Sequence, residues 1–212
     1  TSGGSVVAEI ITTLLAPVVT QRGSDDIVAT WEAMFQESLL IGRRGAVVRA
    51  MSAIDIALWD LAAKRADVPL AVLLGGSMQS LPAYASGGYY RQHPQGWAAA
   101  VASEISANRA LGFTDHKIKV GGLTVQEDAM RVAAAVVAME GIGRLALDAN
   151  NAYGTGAEAQ TAAEAFERAA GDTGLWWFEE PLSTEDVAGL ARLRDRIRTP
   201  VATGEIAQTR HE

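Results

Sequence analysis

The sequence predicts an α/β protein in which a helical N-terminal region precedes five strand–helix units. Two observations predict this fold class. Up to about residue 75, apolar residues recur at helical spacing, as Val7, Ile11 and Leu14 do. After Pro82, short apolar runs alternate with longer helical patterns, which is typical of parallel βαβ units. These five units belong either to a doubly wound sheet or to an incomplete (β/α)₈ barrel.

Three helices are predicted in the N-terminal region. The first carries the stripe that begins at Val7, the second covers Ile27–Leu40, and the third covers Ser52–Lys64. The predicted strands and helices of the second region follow in alternation. The strands are Ala83–Ser86, Lys117–Val120, Leu145–Asp148, Trp176–Glu179 and Val201–Thr203, and the helices lie near 96–111, 124–139, 157–170 and 185–196.

Composition excludes several classes of protein. The chain has no cysteine, so any metal must be held by carboxylates, carbonyls or its 3 histidines, and a cytoplasmic location is expected. With a net charge of −7 and no basic run, nucleic acid is not expected as a partner. No membrane contact is expected either, because the apolar stretch from Val6 to Val19 contains Glu9 and Pro17 and is short for a bilayer span. The chain begins without Met and ends abruptly, so we expect a fragment.

Four segments place a charged residue at or just after the end of a predicted strand. The residues are Lys119, Asp148, Glu179 and Glu205, which recur at intervals of 26 to 31 residues. A barrel of about 250 residues with eight units uses roughly 31 residues per unit. We therefore expect these side chains at equivalent depth on neighbouring strands, converging on the mouth where barrel active sites lie.

The three carboxylates indicate a metal site. Brought together, Asp148, Glu179 and Glu205 repel one another, and a divalent cation removes that penalty. Three hard oxygen ligands without Cys or His favour Mg²⁺ over Zn²⁺.

The Lys117 and Lys119 pair indicates a base. Residues two apart in a strand point to the same side, so both lysines are expected to face the barrel interior. Neighbouring ammonium groups depress each other's pKa, and a lysine with a lowered pKa serves as a base near neutral pH. The proton next to a carboxylate is weakly acidic, and a cation on that carboxylate stabilises the enediolate that forms when the proton leaves.

Each of these residues also has a plainer interpretation. Glu179 and Glu180 alone suit a solvated strand end, Asp148 suits a turn, and Lys117 and Lys119 suit edge-strand charges. The loop after the first strand either contacts substrate through Tyr89, Tyr90 and Arg91 or is an ordinary surface loop. His116 and His211 are predicted to be structural, and Trp176 and Trp177 to be packing residues.

The order Lys-x-Lys, Asp-x-Asn, Glu-Glu-Pro and Gly-Glu resembles the mandelate racemase-like subgroup of the mandelate racemase / muconate lactonizing enzyme family in the enolase superfamily. The segment Ser52-Ala-Ile-Asp-Ile-Ala-Leu-Trp-Asp-Leu-Ala, followed by Pro69-Leu and Leu73-Leu-Gly-Gly, adds to the resemblance, which covers nearly the whole chain. It implies a capping domain of the α+β type, with its helical part at residues 1–81. It also implies the first five units of an incomplete (β/α)₇β barrel at residues 82–212.

The resemblance also implies roles for individual residues. Asp148, Glu179 and Glu205 match the three Mg²⁺ ligands, and Lys119 matches the base that removes the proton. Lys117 would lie beside the substrate carboxylate, and Asn150 matches a polar residue near the metal and substrate. The late strands that carry the second acid/base would lie beyond Glu212, so residues 1–212 alone are expected to be inactive.

The expected activity is Mg²⁺-dependent abstraction of the α-proton of a hydroxy-carboxylate, with an acid sugar as the first choice of substrate and dehydration as the reaction. Racemisation or epimerisation of a 2-hydroxy acid uses the same chemistry and stays open. A non-catalytic metal-binding barrel and a barrel lyase unrelated to enolases stay open as well. Family members are commonly homo-oligomers, so an oligomer is expected.

Overall fold

The computed structural model describes residues 3–209, which form two compact units. One unit is Leu81–Ile206, and the other contains the residues before it together with those from Ala207 onward. His211, predicted to be structural, lies outside the described residues.

The first unit is helical, as its periodicity predicts. Its core contains Leu15, Met34 and Met51, one from each of three helices, all at most 1% exposed. The third helix is longer than the predicted Ser52–Lys64 because Val47 and Ala50 continue its buried face. Its helices are Gly4–Arg22, Ile27–Ser38, Ala46–Arg65 and the short Leu70–Leu73, and Ile10–Leu15 within the first is π-helical.

The first helix corrects one expectation. The apolar stretch was predicted to be too short for a bilayer, but the helix runs over 19 residues, Gly4–Arg22, and an 18-residue window within it has a mean hydropathy of 1.4. It is therefore long and apolar enough to cross a membrane by length and composition alone. Core helices and signal sequences meet the same criterion, so length does not decide its role.

The second unit contains a sheet of five parallel strands. The strands are β1 (Ala85–Gly87), β2 (His116–Lys119), β3 (Leu145–Asp148), β4 (Phe178–Glu179) and β5 (Val201–Ala202). They lie in the sheet in chain order, with each strand paired to the next. A doubly wound sheet reverses its strand order at a switch point, whereas a (β/α) barrel adds strands sequentially. The sequential order therefore identifies the partial barrel.

Alternation along these strands separates the core from the charged side chains. Ile118, Leu147 and Phe178 are at most 2% exposed and pack into one apolar cluster with residues of the surrounding helices. Residues next to them in sequence, such as Lys119 and Asp148, point to the other side of the sheet. The apolar side chains of these strands therefore face the helices, and the charged side chains face the barrel interior.

The helices of this unit follow the strands that they connect. The two that come after β2 and β3 each begin with a capping box, in which Thr124 pairs with Glu127 and Thr155 with Glu158. These caps start both helices close to the ends of the strands that carry the charged residues. The helices are Trp97–Ala110, Val125–Ala138, Gly156–Ala170 and Val187–Arg194.

Candidate active site

Strand register brings three of the four predicted residues into one row. Lys119 on β2 pairs with Asp148 on β3, and Asp148 pairs with Glu179 on β4. The expectation of equivalent depth is wrong for Glu205. The register partner of Glu179 on β5 is Ala202, so Glu205 lies three residues beyond, in a turn after the strand. The side chain of Glu205 nevertheless places its carboxylate beside those of Asp148 and Glu179.

The three carboxylates meet despite that offset. One oxygen from each of Asp148, Glu179 and Glu205 lies within 4.8 Å of the others. Oxygens bound to one octahedral Mg²⁺ at 2.0–2.1 Å lie about 3 to 4 Å apart, so a small side-chain adjustment would bring the group onto a cation. Asp148 is fully buried, Glu179 half-buried and Glu205 exposed, so the group opens toward solvent on the side of Glu205. This all-oxygen donor set fits Mg²⁺.

Both lysines of the Lys-x-Lys segment point into this group. Nζ of Lys119 lies 2.6 Å from Oδ2 of Asp148, and Nζ of Lys117 lies 2.9 Å from both carboxylate oxygens of Glu179. Lys117 also lies 3.3 Å from Oδ2 of Asp148. The two ammonium groups thus offset the negative charge of the buried carboxylates.

These contacts correct the expected pKa of Lys117. Burial alone would lower the pKa of this ammonium, but the hydrogen bonds and charge of Glu179, with the charge of Asp148, outweigh burial and raise the pKa above 10.5. The expectation that the paired lysines depress each other is therefore wrong for Lys117 in this arrangement. A cation bound to the same carboxylates would remove the support that raises this pKa.

Two further side chains hold the ligands in place. Asn150 donates from Nδ2 to Oε1 of Glu205 at 3.0 Å, while its backbone N–H donates to Oδ1 of Asp148. Its φ of +44° is rare for a residue with a side chain. Trp177 donates from its indole N–H to Oε2 of Glu179 at 2.9 Å. Ring contacts with Tyr84 and Trp176 confirm the packing role that the sequence predicted for Trp177. The sequence analysis missed the additional contact with Glu179, two residues further along the chain.

Glu180 has a role that the sequence did not indicate. It is fully buried, and its carboxylate accepts hydrogen bonds from Thr203, Gly204 and Glu205 on one oxygen and from Asn151 on the other. The interpretation of Glu180 as a solvated strand end is therefore wrong.

The loop after β1 splits into two environments. Tyr89 is exposed, and Nζ of Lys119 lies 5.7 Å from the centre of its ring, so Tyr89 borders the lysine pair. The hydroxyl of Tyr90 instead donates to Asp128 and accepts from the backbone N–H of Gly122, so it is engaged by the helix Val125–Ala138 and the loop before that helix. Arg91 is exposed.

A buried ion pair braces the end of β2. Asp128 and Arg131, at most 1% exposed, form a contact of 2.6 Å on the helix Val125–Ala138. Arg131 donates to the backbone carbonyl of Lys119 at 2.8 Å and to that of Gly88. The pair thereby ties together the ends of β1 and β2, beside the lysine that is the candidate base.

His116 is buried on the helix-facing side of β2, as its position in the alternation predicts. It is 1% exposed, and burial lowers its pKa below the ordinary 6.5, so the imidazole is neutral at pH 7. Neither ring nitrogen has a hydrogen-bond partner among the described residues.

Two family matches cover most of the chain. Residues 100–212 match the family described as enolase C-terminal domain-like. Residues 2–75 match the mandelate racemase / muconate lactonizing enzyme N-terminal domain, and this match includes the apolar first helix.

Curated relatives include two sugar-acid dehydratases and a cycloisomerase. Arabinonate dehydratase of Saccharolobus solfataricus is 34% identical over 94% of this chain and 52% of its own length. D-galactarolactone cycloisomerase of Agrobacterium fabrum is 42% identical over 82% of this chain and 45% of its own length. L-talarate/galactarate dehydratase of Salmonella typhimurium is 35% identical, with coverages of 86% and 44%. The chain thus spans about half the length of these relatives.

Solved structures show the same relationship. A racemase from Streptomyces coelicolor with bound magnesium superposes with a TM-score of 0.84 at 33% identity, covering 97% of this chain and 59% of that one. A mandelate racemase/muconate lactonizing enzyme-like protein from Rubrobacter xylanophilus gives a TM-score of 0.82 at 35% identity, with coverages of 94% and 53%. Sequence motifs, strand order and these matches agree: the chain belongs to the mandelate racemase / muconate lactonizing enzyme family of the enolase superfamily.

Proposed function

We propose that this chain carries the proton-abstracting part of a Mg²⁺-dependent site for hydroxy-carboxylates, and that the reaction is dehydration of an acid sugar. The observation that carries the proposal is the row formed by Lys119, Asp148 and Glu179 on adjacent strands, completed by Glu205. The row places an amine beside a group of oxygen ligands, as removal of a proton next to a carboxylate requires.

Asp148, Glu179 and Glu205 would hold the metal. Bound there, Mg²⁺ would orient the substrate carboxylate and offset the negative charge that develops on it. Lys117, between Asp148 and Glu179, would donate to the same substrate carboxylate. Charge complementarity supports this assignment, because a substrate anion needs cations to balance a protein with a net charge of −7.

Lys119 would take the α-proton at Nζ. Nζ of Lys119 lies 2.6 Å from Oδ2 of Asp148, so this contact must open before Nζ can reach an α-proton. Capture of the Asp148 oxygens by a cation would break that contact. The same event that completes the metal site would thereby free the amine.

Asn150, Tyr89 and Arg91 are the proposed substrate-binding residues. Asn150 donates hydrogen bonds to the carboxylates of Asp148 and Glu205. The ring of Tyr89 lies beside Nζ of Lys119. Arg91 is supported only by its place in the same loop. An acid sugar presents a chain of hydroxyls beyond its carboxylate, and amide and phenol groups bind such hydroxyls.

The dehydration is balanced without a further reactant. Lys119 removes the α-proton, the bond between the β-carbon and its hydroxyl breaks, and water leaves as an acid supplies a proton. The resulting enol becomes a 2-keto-3-deoxy acid. Two dehydratases of sugar acids among the relatives support this choice.

Two other reactions begin with the same proton transfer. The cycloisomerase at 42% identity favours cycloisomerisation of a sugar-acid lactone as a second candidate. The racemase structure favours return of the proton to the opposite face of a 2-hydroxy acid. A barrel that binds the metal without catalysis is the rival from a different class.

The test incubates the full-length protein in D₂O with a panel of acid sugars, lactones and 2-hydroxy acids. We expect a 2-keto-3-deoxy product that requires Mg²⁺. Deuterium at the α-carbon without loss of water would identify a racemase, and an isomeric product a cycloisomerase. Calorimetric Mg²⁺ binding without exchange or turnover on any compound would contradict the proposal and favour the non-catalytic barrel.

A further inference from the structure

A carboxylate that cannot itself join the metal ligands holds one of them in place. Glu180 follows Glu179 directly, but it is fully buried and its oxygens are occupied by four neutral donors. A buried charge is tolerated only where hydrogen bonds replace its lost hydration. The donors come from two different loops, so these bonds also decide where those loops lie.

One oxygen of Glu180 organises the turn after β5. Its Oε1 accepts from the Thr203 hydroxyl at 3.0 Å, from the Gly204 N–H at 2.7 Å and from the Glu205 N–H at 3.3 Å. Gly204 has a φ of +121°, a left-handed conformation that a residue with a side chain rarely adopts. The carboxylate of Glu180 therefore binds three consecutive donors of a turn whose backbone direction is unusual.

That turn carries the ligand that the sheet does not hold. Asp148 and Glu179 lie on strands and are fixed by the ladder, whereas Glu205 lies three residues past the register partner of Glu179 and is exposed. The position of its backbone depends on the bonds to Glu180. A ligand on an unsupported turn would sample many positions, and binding would then cost the entropy of ordering it.

The other oxygen of Glu180 reaches the loop after β3. Its Oε2 accepts from Nδ2 of Asn151 at 3.1 Å. Asn151 and its neighbour Asn150 both have positive φ, at +63° and +44°. Asn150 in turn donates to Oε1 of Glu205. One buried carboxylate thus fixes Glu205 from its backbone and, through the asparagine pair, from its side chain.

We infer that Glu180 is a positioning residue that sets Glu205 into the metal site. The inference rests on the proposed metal site and deepens it. Glu180 does not bind the cation; it acts through Glu205, so its contribution to Mg²⁺ affinity should exist only while Glu205 is present.

The chain contains a matched control at the other end of β5. Glu167 is also buried, and its Oε1 accepts from the N–H groups of Arg198 and Thr199 and from the Thr199 hydroxyl. It therefore fixes the segment before β5 as Glu180 fixes the segment after it. Replacement of Glu167 removes a comparable set of hydrogen bonds without touching the turn of Glu205.

The experiment measures the Mg²⁺ dissociation constant of the complete protein by calorimetry, with thermal unfolding followed in parallel. Glu180→Met should weaken Mg²⁺ binding about 10- to 100-fold, the range for residues that orient a metal ligand. Glu180→Gln keeps an acceptor for the turn and should fall between wild type and Glu180→Met. Glu167→Met should lower the melting temperature but leave the dissociation constant within about threefold of wild type, since its bonds are remote from the ligands.

A double-mutant cycle with Glu205→Gln decides the route. In that background the Glu180 substitutions should no longer change the dissociation constant. If Glu180→Met does not fold, the cycle with Glu180→Gln makes the same decision. Equal losses with and without Glu205, wild-type affinity in a folded Glu180→Met or Glu180→Gln protein, or an equal loss in Glu167→Met would overturn the inference. Absence of Mg²⁺ binding in wild type, or wild-type affinity in Glu205→Gln alone, would instead overturn the proposed metal site.

Discussion

Lys119 and Asp148 face each other in strand register, with Nζ of the lysine 2.6 Å from Oδ2 of the aspartate. Both side chains are largely buried, at 16% and 0% exposed. The pair joins the proposed base to a proposed metal ligand. In the proposed mechanism, proton transfer and metal binding therefore both involve this contact.

Removal of the proposed base should separate these two functions. Lys119→Met should lower α-proton exchange by about 10²- to 10⁴-fold, the usual contribution of a general base. It should leave Mg²⁺ binding intact or tighter, because an ammonium that competes for the Asp148 oxygens is gone. Exchange followed by NMR in D₂O, with calorimetry of Mg²⁺ binding, checks both. A Lys119→Met protein that exchanges at the wild-type rate would remove Lys119 from the mechanism.

The buried pair of Asp128 and Arg131 should be a large contributor to stability. Arg131→Met leaves Asp128 unpaired in the interior, which typically costs about 3–5 kcal/mol of unfolding free energy. Urea unfolding measures this loss. Arg192→Met is the control, since that arginine is 64% exposed and 4.0 Å from Asp186, and it should have little effect. Equal stability of the two variants would show that Arg131 does not brace β2.

Removal of the hydroxyl should affect the unfolding free energy differently at Tyr153 and at Tyr90. The hydroxyl of Tyr153 is buried without a partner among the described residues, and burial raises its pKa above 10. Tyr153→Phe should therefore keep the unfolding free energy or raise it by up to about 1 kcal/mol. Tyr90→Phe removes the contacts with Gly122 and Asp128 and should lower it by about 1 kcal/mol. A clear loss of stability in Tyr153→Phe would contradict the burial of an unpaired hydroxyl.

Acid should destabilise the segment before β5 through Glu167. Burial alone would raise the pKa of Glu167, but hydrogen bonds from Thr199 and Arg198 outweigh it and hold the pKa below the ordinary 4.5. A carboxylate whose pKa is lower in the folded than in the unfolded state stabilises the fold at pH values above its unfolded-state pKa. This stabilisation is lost as the pH falls through the folded-state pKa. Unfolding free energy measured from pH 6 downward should decline less steeply in Glu167→Gln than in wild type. Parallel pH profiles would contradict the prediction.

The sequence predicted the barrel strands well because their signal is local. Leu145–Asp148 has its predicted bounds, and the other four strands begin or end within two residues of the prediction. The spacing of one charged residue per unit also correctly predicted that Lys119, Asp148 and Glu179 lie together, because the strands of a barrel repeat with a regular period. The same spacing misplaced Glu205, because β5 ends at Ala202 and Glu205 lies in the turn after the strand.

The supporting residues could not be predicted in the same way. Glu180 accepts from backbone N–H groups 24 and 25 residues away in sequence, and Arg131 donates to backbone carbonyls 12 and 43 residues away. No periodicity encodes such contacts. The raised pKa of Lys117 also depends on where the carboxylates point, which spacing does not fix. The length of the apolar first helix was misjudged because Pro17 lies near the start of its last α-helical stretch, where proline is tolerated, and does not end the helix.

A crystal structure of the complete protein grown with Mg²⁺ tests the proposed metal site and its neighbouring base most directly. We expect one ion bound by an oxygen from each of Asp148, Glu179 and Glu205, with Nζ of Lys119 released from Asp148 and facing the open side of the ion. An ion bound elsewhere, or an ion bound by a set that omits one of the three carboxylates, would contradict this expectation.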